Sequence, residues 1–203
     1  GVSPTSAGAE ITISGTDLVI TDPTHPITAV GGFTQNGANQ VFVSLSSLTG
    51  DLRLNTGTGA DTVSLDSALS MPGHADLTSG AITFNNGVTL AVGNNLTVNA
   101  TDTINLTASA NLAASGTGAI SLTTARDIFA IEGSSISVVN GGVTLSANQQ
   151  RSPTAAAFTG VWARGTHTTS GTGDITLLGR SGTLSGSALD DDGVSVVGLV
   201  QST

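Results

Sequence analysis

The feature that most constrains this chain is an apolar pair that recurs every eight residues between Val88 and Leu145. The pairs run Val88/Leu90, Leu96/Val98, Ile104/Leu106, Leu112/Ala114, Ile120/Leu122, Ile128/Ala130 and Ile136/Val138, and Val143/Leu145 closes the series one residue early. Each pair is spaced i, i+2, so in an extended strand both members point to one face. A helix needs an apolar repeat near 3.6 residues, and a spacing of eight filled with Gly, Asn, Ser and Asp does not supply one. The pattern predicts short strands joined by tight bends, each strand giving one strip of core. Repetition at a fixed short period is the grammar of a solenoid.

Three such strands make a coil of about 24 residues. That period predicts a core ladder in which Leu96, Ile120 and Val143 stack on one side and Ile104 and Ile128 on a second. Val88, Leu112 and Ile136 then stack on a third. Composition agrees with a narrow core. The 203 residues are 38% hydrophobic but include only five Phe, one Trp and no Tyr, so Val, Ile, Leu and Ala must fill the interior. A hairpin meander of a sandwich or barrel is the competing all-β arrangement, and recurrence of like residues at 24 favours the solenoid.

Residues 1–50 keep a β character with a less regular beat. Strand-like runs lie at 11–13, 18–20, 27–29 and 41–43, separated by Gly15, Pro23, Pro26, Gly31, Gly32 and Gly37. They read either as early coils or as a small separate sheet, and 51–203 read as the solenoid proper. Beyond Ser146 the coils lengthen to 32–33 residues. Gly173 to Leu177 repeats Gly141 to Leu145, and Gly193 to Gly198 repeats Gly160 to Gly165. The extra residues fall in corner loops near 148–157 and 181–192, and enlarged loops on a repeat scaffold are where function concentrates. The sequence opens without Met and stops where the previous coil continues, so it reads as a processed protein or a piece of a longer one. Flanking chain or further copies of itself are then the expected partners at the open ends.

The segments Gly116-Thr117-Gly118-Ala119-Ile120-Ser121-Leu122 and Gly171-Thr172-Gly173-Asp174-Ile175-Thr176-Leu177, with Leu145 to Gln150, carry a resemblance. They resemble the β-strand repeats of very large bacterial surface proteins of the filamentous-haemagglutinin and adhesin type. The resemblance covers 50–203 best. It implies a secreted, extracellular, right-handed parallel β-helix used for adhesion or cell-surface structure, with surface glycans among its partners. It supplies no catalytic residue and no cofactor.

Charge narrows the functions. Fourteen acidic residues against five basic ones, all Arg, give a net charge of −9. That argues against nucleic acid, which needs basic patches to displace counterions, and against anionic membrane surfaces. No apolar run approaches the ~20 residues of a membrane-spanning helix. Absence of cysteine excludes thiol catalysis and thiolate metal sites.

Candidate chemistry is sparse. Gly57-Thr58-Gly59-Ala60-Asp61 matches one copy of a calcium-binding turn, but such sites share each ion between consecutive copies. A glycine-rich bend capped by Asp61 explains the same residues. Asp190, Asp191 and Asp192 form the one acidic run and could hold a hard cation, or simply keep a loop tip solvated. His25, His74 and His167 lack metal-like spacing. Trp162, flanked by the inward-facing Val161 and Ala163, should point outward beside Arg164 and offer an anchor for a sugar ring or a protein. A register slipped by one residue would instead place it in the core. Outward Thr97, Ser121, Thr144 and Thr176 form a hydroxyl row without the flanking threonines that ice binding calls for. Asn95, Asn99 and Asn105 head glycosylation sequons in a chain rich in Asn and Thr.

The sequence therefore predicts a non-enzymatic extracellular structural or adhesive module. A filament subunit stacking end to end is one alternative, and a polysaccharide-active enzyme on the same scaffold is the other. The latter lacks clustered acid/base groups.

Overall fold

In a computed structural model the chain is described over residues 8–57, 59–182 and 192–202. The protein is all-β, with one short 3-10 turn at Leu45–Ser47 and no α-helix among the described residues. Among the described residues no helix is long and apolar enough to cross a membrane. The strands form three sheets of ten, six and six strands, here A, B and C.

From Leu52 onward the chain visits the sheets in a fixed order. Leu52–Asn55 lies in B, Thr62–Leu65 in A and Leu69–Met71 in C, and the cycle then repeats from Ala75–Ser79. Every pairing between successive visits is parallel and in register. In B, Leu96 pairs with Ile120 and Ile120 with Val143; in A, Ile104 pairs with Ile128. These are the predicted ladder contacts. Their side chains are at most 1% exposed and belong to one apolar cluster fed by all three sheets. Along most strands between Leu52 and Thr169 buried and outward residues alternate, as in the BiB pattern of Val161–Ala163, because successive Cβ atoms leave opposite faces.

The third column departs from the expected register. Leu112 pairs with Ile136, but its partner on the other side is Leu90, not Val88. Val88 is buried in the bend, 3% exposed. The cause is bend length: Leu69 pairs with Leu90, Leu90 with Leu112 and Leu112 with Ile136, steps of 21, 22 and 24 residues. An even beat of eight in the sequence does not guarantee an even step between levels, since a bend can absorb a residue without turning a side chain over.

The longer repeats keep core register. Val143 pairs with Ile175, Val161 with Val194, and Thr169 with Ser202. The bends ahead of sheet B are so tight that glycine is required for space. A Cβ on Gly118 would lie 2.3 Å from the Asn94 carbonyl oxygen, one on Gly141 1.9 Å from that of Gly118, and one on Gly173 1.8 Å from that of Gly141. Successive glycines stand above one another where neighbouring levels touch.

The strands before residue 50 are neither further visits to all three sheets nor a sheet of their own. Gly8–Ser14 pairs in parallel with Thr62–Leu65 and continues sheet A. Asp17–Thr21 then turns back on it antiparallel, and Gln40–Ser44 adds a further antiparallel strand with Thr34–Gln35 at the edge. Leu18, Ile20, Val41 and Val43 are buried on the way. The run at 27–29 is not a strand. Pro26 cannot donate and Gly31 and Gly32 sit at positive φ. The Gln35 side chain satisfies the segment instead, accepting from the Ala29 N–H at 2.8 Å and donating to the Ile27 carbonyl at 2.9 Å.

Candidate functional site

Sheet A presents one outward column that changes character along its length. Ser64, Thr83, Asn105, Phe129, Trp162 and Ser195 follow one another in register. Small polar groups therefore give way to two adjacent aromatic rings. Their centroids are 5.5 Å apart with planes at 59°, a tilted pair of the favoured kind. Trp162 is half-buried between Val161 and Ala163, both fully buried, so it points away from the core as the alternation required. Arg164, two residues on and exposed, lays its guanidinium 4.1 Å from the Trp162 ring centroid. A stacked guanidinium of this kind is worth about 0.5–1 kcal/mol at an exposed site. Ring faces, a cation and flanking hydroxyl and amide groups form a surface suited to a polyol or a polypeptide.

Phe129 was not singled out by the sequence, where it sits between the core residues Ile128 and Ala130. The signal that finds it is the pairing of Ile128 with Val161, which sets Phe129 opposite Trp162.

A second cluster lies at the bend between sheets B and A. Arg126 donates from Nη1 to Asp102 Oδ1 at 3.0 Å and places Nε 3.1 Å from Asp127 Oδ2. The Asp102 hydrogen bond, against the cost of burial, raises the Arg126 pKa further. Burial pushes the Asp127 carboxyl up, against the pull of the Thr103 hydroxyl and of Arg126. Arg126 also faces the Phe158 ring at 5.8 Å. Phe158 directly follows the corner loop expected near 148–157, which the body grips tightly. Asn148 Oδ1 accepts from the Thr154 N–H at 2.7 Å, and Gln150 and Thr154 both donate to the Ala125 carbonyl at 2.8 Å. Asp127 is fully buried while Arg126 and Asp102 stay partly exposed, so the cluster anchors the loop at the surface.

The remaining sequence candidates are dispersed. Asp192 is exposed and its carbonyl accepts from the Gly160 N–H at 3.1 Å; Asp190 and Asp191, with most of the 181–192 loop, lie outside the described residues. Asp61 accepts through its backbone carbonyl from Ala81 and Ser79. Among the described residues no three His, Cys, Asp or Glu side chains gather as metal ligands. His25 sits beside Asp22, whose Oδ1 accepts from the N–H groups of Thr24 and His25, both at 2.9 Å. Burial raises the Asp22 pKa, but these hydrogen bonds outweigh it and hold the carboxyl below its ordinary value. Both residues line a cavity of about 580 Å³ with Arg53 and Asp61. Asp22 is held in its turn, with His25 Nδ1 3.7 Å from its Oδ2, and Arg53 lies 3.2 Å from Asp76.

No protein-family model, curated protein or solved structure matches the chain at a significant level.

Proposed function

We propose that this chain is an extracellular structural and adhesive module. In this reading the three stacked sheets close into a right-handed parallel β-helix of about 24 residues per coil, lengthening to 32–33 where the corner loops are inserted. It belongs with the repeat regions of large bacterial surface proteins of the filamentous-haemagglutinin type, which its glycine-led strands resemble. The observation that carries the reading is the unbroken B, A, C order of in-register parallel strands from Leu52 to Ser202. Such a stack resists bending because each level is hydrogen-bonded to the next along three sides. At ~4.8 Å per level, the six strands of sheet B span about 24 Å.

The rod holds Phe129, Trp162 and Arg164 outward as its contact patch, and surface glycans fit it through ring stacking beside a cation. Trp162 is the chain's single tryptophan, so its emission reports on the patch alone. Titration with chito-oligosaccharides, hyaluronan and dextran should give a saturable change for at least one, lost in Arg164→Ala with the far-UV circular dichroism unchanged. Flat titrations with all three remove the glycan assignment. A compact, non-elongated particle in small-angle scattering removes the rod.

A further inference from the structure

Column positions in sheet C run Leu69, Leu90, Leu112, Ile136, His167 and Val200. Five are aliphatic, and one is an imidazole. His167 is 0% exposed, and neither ring nitrogen has a hydrogen-bond partner. An unpaired polar group inside an apolar stack is costly, and a charged one far more so. The next inward position along the strand shows what a satisfied polar residue looks like here. Thr169 donates to the Gly173 carbonyl at 2.8 Å and lies 3.1 Å from the Ser202 hydroxyl.

Among the described residues, no strand packed around His167 offers a countercharge. The strands beside it, Ser135–Val138 and Leu199–Ser202, bear no charged side chain. Nor do the nearest strands of the other two sheets, Val143–Ala147, Ile175–Gly179, Val161–Ala163 and Val194–Val196. The charged residues closest in sequence, Arg164 and Asp174, are exposed in the bends. The levels above His167 are also the least buried of the stack. Ile175, Leu177 and Val194 are only partly covered, and all four residues of Leu199–Ser202 are exposed.

We propose that His167 is an acid-sensitive latch: its protonation frees Thr166–Thr169 and Leu199–Ser202 from the stack, while the levels from Ser135–Val138 back stay closed. Lone burial, without a countercharge, depresses the imidazole pKa from 6.5 to about 4. The sign follows from linkage. The opened strand binds the proton more readily than the closed one, so closure weakens as pH falls from about 6.5 toward 4. Between pH 7.5 and 5 the opening equilibrium should rise about 30-fold on those two pKa values.

The test is hydrogen exchange by mass spectrometry on the whole chain at pH 7.5 and 5.0, corrected for intrinsic rates. His167→Val is compared as a side chain the column already accepts. The expected result is about 30-fold faster exchange at 166–169 and 199–202 in the wild type and less than about threefold in the variant, with 96–124 unchanged in both. An equal acid response in His167→Val overturns the proposal, as does a wild type indifferent to pH. Should the variant not fold, the ¹³C shifts of the wild-type imidazole decide: titration near 4 supports the latch, and titration near 6.5 with the amides still protected refutes it.

Discussion

Substituting Gly141 by alanine probes the tightest feature of the stack. Its added Cβ would lie 1.9 Å from the Gly118 carbonyl oxygen, 2.4 Å from the carbonyl carbon and 2.8 Å from the Ala119 nitrogen, all backbone atoms. No side chain can swing aside, so the two levels must part by about 1 Å or more to reach ordinary contact. Parting them there strains the Asn140 N–H bond to Gly116 at 2.9 Å and the Ile120 N–H bond to Gly142 at 3.0 Å. Two lost hydrogen bonds at about 1 kcal/mol each, with about 1–3 kcal/mol of overpacking, give a destabilisation of about 3–5 kcal/mol. Gly50→Ala is the matched control. Its Cβ meets nothing within 4 Å and its φ is not positive, so it should change stability by less than about 1 kcal/mol, in the stabilising direction. Urea unfolding followed by Trp162 emission and far-UV circular dichroism measures both. A Gly141→Ala protein within about 0.5 kcal/mol of the wild type, or a Gly50→Ala protein equally damaged, would show that the glycine column is not a packing requirement.

Two further perturbations test the core and the buried charge. Ile104, 0% exposed between Ile82 and Ile128, should cost about 2–5 kcal/mol as Ile104→Ala. The neighbouring outward Asn105→Ala should cost less than about 0.5 kcal/mol in the same urea assay, and equal costs would contradict the assigned faces. Asp127 has its folded pKa raised by burial, so its contribution is fully present below its unfolded value near 3.8 and is lost as pH rises through the folded value. Asp127→Asn, which cannot ionise, should therefore gain stability relative to the wild type between pH 3.5 and 7. A relative loss over that window would mean that Arg126 more than compensates the buried carboxylate.

The aromatic patch was half legible in the sequence. Trp162 between Val161 and Ala163 carried its own orientation, because alternation is a local property of an extended chain. Phe129 carried none. It becomes part of the patch only through a hydrogen-bonded neighbour 33 residues away, and cross-strand partners are not written in local periodicity. His167 was hidden for a similar reason. Thr166 to Thr169 reads as a polar strand, and only the pairing of His167 with Ile136 and Val200 reveals that its imidazole occupies a core position.

By itself, then, the sequence determined that the chain forms short strands, which members of the apolar pairs from Leu96 to Leu145 face a core, and where glycine turns the chain. These follow from the period of two along a strand and from the conformations open to bend residues, both local. The tertiary structure alone decided which strands are neighbours. It set Leu90 rather than Val88 beside Leu112, and turned the strands before residue 50 back antiparallel onto sheet A. Pairing is a contest between nonlocal backbone hydrogen bonds whose outcome depends on bend lengths and on how whole levels stack. A repeat of eight fixes the face each side chain takes and leaves its partner to the assembled sheet.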